Sequence, residues 1–438
     1  MLPLKMSLRS VRAVSRADIQ LAGLTVLCGV NGAGKSTIAR VLEDAIETNL
    51  YFKDRHRNRI LRDFVNDTLR KFGQCIVSLG IEDFDKEQLL AHSLGAHDFT
   101  PYDKALKWLD AISLLLMNIF SLKKWKNIKS SCREMSLLAE VLRVKVVTTQ
   151  SVESALMEKV NAVRNSISAT LNEAITHELF NYVELYSPVL WKGSVDIQEG
   201  GVSVFSYQDT KNCCHNRLIS VKDVIYIQSP LVSAVRYDDG DLFLLGNIAP
   251  LHTQKVANSP ISSDAIGTAF AKIMHGEVKL KKLPSGVQRW VYQREDKKEF
   301  PLQECATGLK SFSLLSTLYA YGCLNEETIL IIDEPEAHLH PQWVVEYAKM
   351  IVKLVSECGV RILIASHNPD MINALQAFAV ACRMEGTTHF YQAVPDGGSN
   401  SYDYKYIDRK MDVGRIFDGF NKVYPAIEKV SATLGRKA

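Results

Sequence analysis

Three short runs of the chain are apolar at nearly every position: Leu24 to Cys28, Thr328 to Ile332 and Val360 to Ala365. Such runs predict central strands of a parallel sheet, covered on both faces. Helical stretches are expected over Thr37 to Ile46 and Phe312 to Leu324. A longer helix is marked by Val152, Leu156, Val160, Val163, Ile167, Leu171, Ile175 and Leu179, which recur every three or four residues. At 1.5 Å per residue it would run about 45 Å. Its apolar stripe needs a cover, and the segment from Tyr102 to Val147 is expected to return antiparallel against it, making a short helical arm. Between 194 and 304 the pattern turns to short β segments: Val202 to Phe205 alternates, Val224 to Ile227 is apolar, and Gln288 to Gln293 with Glu299 to Leu302 reads as a hairpin. The C-terminal part returns to the parallel core and closes with His389 to Val394, an Asp396-Gly397-Gly398 turn and Tyr402 to Ile407.

The strand at Leu24 to Cys28 runs into Gly29-Val30-Asn31-Gly32-Ala33-Gly34-Lys35-Ser36, a full G-x-x-x-x-G-K-[ST] match followed by a helix. Glycines let the backbone curl around phosphate oxygens with N–H groups pointing inward, and the helix N-terminus favours negative charge. Candidate nucleotide contacts are Gly29, Asn31, Gly32, Ala33, Gly34, Lys35, Ser36 and Thr37; Lys35 would reach the β- and γ-phosphates and Ser36 would ligate Mg²⁺. ATP and Mg²⁺ are the expected cofactors.

The second apolar run ends in Asp333-Glu334, the form of a Walker B segment. Asp333 can hold the metal through water, and Glu334 can orient or deprotonate an attacking water. The third run delivers Ser366-His367-Asn368-Pro369, which places His367 just beyond a strand end as a candidate γ-phosphate contact, with Pro369 at the first turn of a helix. Thr307-Gly308 supplies a hydroxyl and a glycine at another helix start, a second anion site. One nucleotide cannot use both helices, so the second is expected to meet another subunit's ATP.

Thr307-Gly308-Leu309-Lys310 resembles the Ser-Gly-x-Lys signature of OLD-like and SMC-like members of the ABC-type ATPases, with Thr keeping the hydroxyl. Asp333-Glu334-Pro335-Glu336-Ala337-His338-Leu339-His340-Pro341 is similar to the D-E-P-E-x-x-L-H-P segment of compact ABC-type ATPases of bacterial anti-phage defence, including the OLD, Septu, PARIS and retron-associated ATPases. The motifs cover about the first fifty and last hundred and forty residues. The resemblance implies an α/β fold: an ABC-type P-loop NTPase head with an antiparallel β element and an inserted helical, short coiled-coil arm. Its parts would be 1–50 (P-loop portion of the head), 51–190 (helical insert), 191–304 (β-rich portion) and 305–438 (signature, Walker B and His switch). It also implies an ATP-sandwiched homodimer or higher oligomer. The expected partner is a protein encoded next to it, a nuclease or toxin, since no nuclease motif occurs in the chain. The glutamine that couples the γ-phosphate to the helical lobe has two candidates, Gln74 and Gln228. Alternatives are a DNA-repair or chromosome-maintenance ATPase with DNA-stimulated hydrolysis, and a scaffold that binds ATP with negligible turnover. A transporter subunit fits the motifs least.

Composition narrows this little. The 438 residues are 47% hydrophobic and 23% charged, as in a soluble globular protein, and 52 Lys plus Arg against 49 Asp plus Glu leave +3, too small to argue nucleic-acid binding alone. The charged stretch Tyr51 to Lys71 reads as a solvated helix face, whereas Lys123, Lys124, Lys126, Lys129 and Arg133 form the candidate DNA, RNA or partner contact. Nine cysteines without a C-x-x-C pair point to a reduced cytosol, and Cys213-Cys214-His215 reads as an ordinary loop. Neither Leu21 to Cys28 nor Ala111 to Phe120 makes a signal peptide or a span of about 20 residues, so a cytoplasmic protein off the membrane is expected.

Overall fold

The computed structural model describes residues 2–81, 102–129, 132–145, 147–169, 193–208, 212–228, 265–282, 288–397 and 402–420. The chain forms two compact units, Met1–Leu50 with Phe180–Ala438, and Tyr51–Leu179.

In the first unit the strands are β1 (Leu4–Val11), β2 (Val14–Leu21), β3 (Leu24–Cys28), β4 (Ser194–Glu199), β5 (Val202–Gln208), β6 (Asn212–His215), β7 (Asp223–Gln228), β8 (Gly276–Lys282), β9 (Gln288–Arg294), β10 (Glu299–Pro301), β11 (Thr328–Asp333), β12 (Arg361–Ser366), β13 (Thr388–Pro395) and β14 (Tyr404–Asp408). Eleven of them form one sheet in the order β6-β5-β4-β1-β2-β14-β13-β3-β12-β11-β7, and β10-β9-β8 form a second. From β7 to β13 the pairing is parallel; β2, β1, β4, β5 and β6 pair antiparallel. Every residue of β3, β11 and β12 is buried, as expected for strands covered on both faces. Arg361 in the third run is buried too; its guanidinium donates to Ser220 Oγ at 2.9 Å, and that hydroxyl donates to Glu199 at 2.5 Å. A buried cation is tolerable when paired in this way.

Helix α1 (Lys35–Phe64) follows the P-loop and runs well past the expected Ile46, because no glycine or proline interrupts it. Within the first unit it is pinned to the antiparallel strands by buried Asn49, which donates to the carbonyls of Val204 and Asn216 at 2.7 Å and accepts from Leu218 N.

The second unit takes α1 from Tyr51 onward, a π-helical turn over Val65–Leu69, and α2 (Arg70–Ser78), α3 (Tyr102–Ser121), α4 (Lys123–Lys126), α5 (Arg133–Leu142) and α6 (Thr149–Ala169). The expected antiparallel return is present: Tyr102 reaches Ser168, Arg164 pairs with Asp110, and Trp125 Nε1 donates to Glu153. The returning segment is not continuous, however. It breaks at Leu122, which is extended, and ends at Arg143, which is left-handed. The charged stretch 51–71 is amphipathic, exposing Arg62, Asp63, Arg70 and Lys71 while Leu61, Phe64 and Leu69 join Phe72, Leu116, Trp125 and Leu156 in a common core. Leu171, Ile175 and Leu179 of the expected stripe lie outside the described residues. Among the described residues no helix is long and apolar enough to cross a membrane.

Four helices complete the first unit: α7 (Ala265–Met274), α8 (Thr307–Ala320), α9 (Pro341–Cys358) and α10 (Pro369–Ala381), with a last short α11 (Gly414–Phe420). The helix expected over Phe312 to Leu324 begins five residues earlier, which puts Thr307 and Gly308 inside its first turn, and stops before left-handed Gly322.

Candidate nucleotide site

Parallel pairing brings the carboxyl ends of β3, β11 and β12 side by side, and the motif residues lie just beyond those ends. Gly32 and Gly34 have φ of 82° and 87°, a region open to glycine without steric cost. A Cβ on Gly34 would also stand 2.6 Å from Val14, so the loop can pack on the β1–β2 turn only with glycine there. The Lys35 ammonium donates to the carbonyls of Gly29 and Val30 at 3.0 Å each. Burial lowers its pKa, while Glu334, Asp333 and Glu336 oppose that shift.

Asp333 ends β11 almost fully buried. Burial pushes its pKa up, and the Ser36 and Tyr226 hydroxyls beside it pull it back. Tyr226 donates to Oδ2 at 3.2 Å, whereas Oδ1 is buried with no hydrogen-bond partner among the described residues. Glu334 turns the chain in the left-handed region at φ 51°, a conformation that costs a non-glycine residue about 1 kcal/mol or more. It is held there by its own N–H, which donates to Ala365 at 2.8 Å, and by its carbonyl, which accepts from Ala337. The turn aims the carboxylate at His367, whose Nδ1 lies 3.3 Å from Glu334 Oε1 and 3.7 Å from Glu336 Oε1. Glu334 and His367 remain about 40% exposed at 39% and 41%, open to a ligand, whereas Glu336 is enclosed.

These residues fit a triphosphate and a hard cation. Three carboxylates stand around one lysine, and the Asp333 carboxylate lies beside the Ser36 hydroxyl, a donor set of the oxygen type that Mg²⁺ takes. Thr307 and Gly308 stand apart: among the described residues no hydrogen bond or ion pair joins them to the P-loop, Asp333, Glu334 or His367. Gly308 is buried, and a Cβ there would meet Trp343 at 2.6 Å and Leu339 at 3.2 Å. It therefore lets α8 approach α9 closely, whatever else the turn does. His340 caps α9, its Nδ1 accepting from Gln342 N at 3.4 Å.

Three site residues carried no role in the sequence. Tyr226 lies in an apolar run; only the β7–β11 register brings its hydroxyl to Asp333. Tyr406 donates to the Ala33 carbonyl from β14 at 3.0 Å, bracing the P-loop across 373 positions. Glu336 sits in a motif whose spacing, two residues past Glu334, could have flagged it. Of the two glutamine candidates, Gln228 ends β7 in register with Asp333, and Gln74 lies in α2 of the other unit.

This strand order sets the P-loop between β3 and α1, and the acidic residues end β11, one strand beyond β12 from β3, the arrangement of an α/β fold with a P-loop nucleotide site. Residues 226–373 match the family model described as "AAA domain, putative AbiEii toxin, Type IV TA system", a span that contains Thr307, Asp333, Glu334 and His367. The match supports an ABC-type ATPase of the AAA group. Among solved structures, the Smc head domain of Pyrococcus furiosus with an extended coiled coil, bound to the C-terminal domain of ScpA, is 12% identical, with 98% of this chain and 100% of that one covered and a TM-score of 0.34. The SMC head domain from Thermotoga maritima is 9% identical over 93% of this chain and 99% of that one, also at 0.34. At TM-scores of 0.34, the α/β fold rests on this chain's own strand order, register and P-loop. No curated protein matches the chain.

Proposed function

We propose that the protein binds ATP with Mg²⁺ and hydrolyses it slowly, closing as a dimer, and that the nucleotide state controls a partner effector, a nuclease or toxin, in anti-phage defence. The observation that carries the ATPase reading is the convergence of Lys35, Asp333, Glu334 and His367 at adjacent strand ends, with Glu334 and His367 3.3 Å apart and half open. Bound Mg²⁺ would neutralise charge on the β- and γ-phosphate oxygens. Gly29 to Ser36 cradle the phosphates, with Lys35 as counter-ion and Ser36 and Asp333 as the metal's protein ligands. Glu334 orients the attacking water and accepts its proton, and His367 contacts the γ-phosphate. Thr307, at the start of α8, would face the nucleotide of a second copy.

The effector part of the reading is supported by the D-E-P-E-x-x-L-H-P segment, and the matched family's description includes a toxin of a toxin–antitoxin system. Lys123, Lys124, Lys126, Lys129 and Arg133 are exposed around the rigid Trp125 anchor, with no acidic residue between 111 and 133, and form the proposed nucleic-acid or partner contact. Phosphate release by purified protein with ATP and Mg²⁺, absent in Lys35→Ala, tests the ATPase; no release and no ATP binding by the unmodified chain would overturn it. Phage challenge of the locus with each neighbouring gene deleted tests the effector, and full protection by this chain alone would overturn that part.

A further inference from the structure

Glu336 has no part in the reaction as proposed, yet its contacts run through the whole far side of the site. Its Oε1 accepts from Ser366 Oγ at 2.7 Å and from the His367 backbone N–H at 3.2 Å. The Ser366 hydroxyl in turn accepts from Asn368 N at 3.1 Å, and the Asn368 side chain caps α10 by accepting from Asp370 and Met371. One buried carboxylate thus ties the turn after β11 to the turn after β12, on either side of the gap where His367 projects. The imidazole Nδ1 is buried, stands 3.3 Å from Oε1 of Glu334 and 3.7 Å from Oε1 of Glu336, and makes no hydrogen bond among the described residues, so the exposed part of the ring is its opposite edge. A carboxylate seated behind a histidine fixes its ring orientation and which nitrogen is offered forward.

We infer that Glu336 is the positioning residue for His367, holding its backbone and ring so that the outward nitrogen meets the terminal phosphate of the nucleotide. The inference rests on the ATPase reading for the contact of the outward nitrogen and for its kinetic test, but not for the placement of the histidine. Acting through His367 has a consequence that general support of the fold does not: the effects of losing the two residues cannot add.

The experiment compares Glu336→Ala, Glu336→Gln, His367→Ala and the double alanine variant in the full chain. Glu336→Ala is expected to lower kcat about 10-fold or more with KM for ATP little changed. Glu336→Gln keeps an oxygen for Ser366 and for the His367 N–H and should recover much of that loss. The double variant should be no slower than His367→Ala alone. In ligand-free protein labelled with ¹⁵N-histidine, the His367 ring signals, assigned by their absence in His367→Ala, should move in Glu336→Ala and move less in Glu336→Gln. Additive kinetic losses, ring signals unmoved in a folded Glu336→Ala protein, or a Glu336→Gln protein as slow as His367→Ala, would overturn the inference. If the unmodified protein hydrolyses no ATP, the ATPase reading fails while the ring signals still decide the role of Glu336.

Discussion

The Tyr226 phenol donates to Oδ2 of Asp333 across the β7–β11 pair, leaving Oδ1 of the same carboxylate buried and without a hydrogen-bond partner among the described residues. The phenol holds one oxygen, and the Ser36 hydroxyl lies beside the same carboxylate. Tyr226→Phe should cost about 1 kcal/mol of stability, the usual net value of one hydrogen bond. It should also weaken Mg²⁺-dependent ATP binding several-fold, since the carboxylate then turns more freely. Titration of Mg²⁺ against a fluorescent ATP analogue checks this, and unchanged metal dependence would count against Asp333 as the ligand.

The pH dependence of ligand-free stability follows from burial. Asp333 and Glu336 both have pKa values raised by burial, partly offset by hydroxyl donors. A carboxyl group whose folded pKa exceeds its unfolded one binds its proton more tightly when folded. Its contribution is therefore present below the unfolded value of about 4 and is lost as pH rises through the folded value. Stability without ligand should decline over that interval, and Asp333→Asn and Glu336→Gln should each flatten the decline. Urea unfolding at about pH 5 and about pH 7 measures it; a steeper decline in either variant contradicts the burial argument.

Binding and chemistry should separate at two neighbouring charges. Lys35→Ala removes the counter-ion for the β- and γ-phosphates and should abolish ATP binding, whereas Glu334→Gln should keep binding and slow hydrolysis by about 100-fold or more. Calorimetric binding alongside phosphate release distinguishes them. Equal loss of ATP affinity in both would remove Glu334 from the role of water-positioning carboxylate.

Thr307 and Gly308, adjacent in sequence, should behave differently. Gly308→Ala would drive a methyl group into Trp343 and should destabilise the first unit by about 1–3 kcal/mol, visible as a shift in tryptophan fluorescence and Tm. Thr307→Ala touches no such contact and should leave Tm nearly unchanged while lowering ATP-dependent dimerisation. Mixing Thr307→Ala with Lys35→Ala subunits places both lesions in one composite site and none in the other, so hydrolysis should partly return. Mixed dimers that form without recovering activity would argue that Thr307 does not act across subunits.

In the second unit, Trp125 is fully buried against Phe72 and Phe120 and donates to Glu153. Trp125→Ala should cost about 3–5 kcal/mol, the range for emptying a core aromatic site. Limited proteolysis should then cut within 51–179 first. Protection equal to that of the unmodified chain would show that this core does not depend on the aromatic cluster.

By itself, the sequence determined the parts whose chemistry is local. A P-loop needs glycines and a lysine at set spacings, a buried parallel strand needs an unbroken apolar run, and Pro369 starts a helix by its preset φ; each was legible in a few adjacent residues. The sequence does not show what depends on strand register between distant segments: Tyr226 reaching Asp333 from 107 positions away and Tyr406 bracing Ala33 from 373. Nor does it show that Gly308 is required by the bulk of Trp343, or that Glu336 turns inward to Ser366 and His367 while Glu334, two residues earlier, stays open. The second unit divides in the same way. Its apolar stripe was visible as a period, but the choice of covering helices, including the distal half of α1, was made by which faces could bury one another. Local propensity and motif spacing act within a few residues of backbone, whereas burial and hydrogen-bond pairing act between whatever the fold brings within contact distance, and that is decided only when the chain has closed on itself.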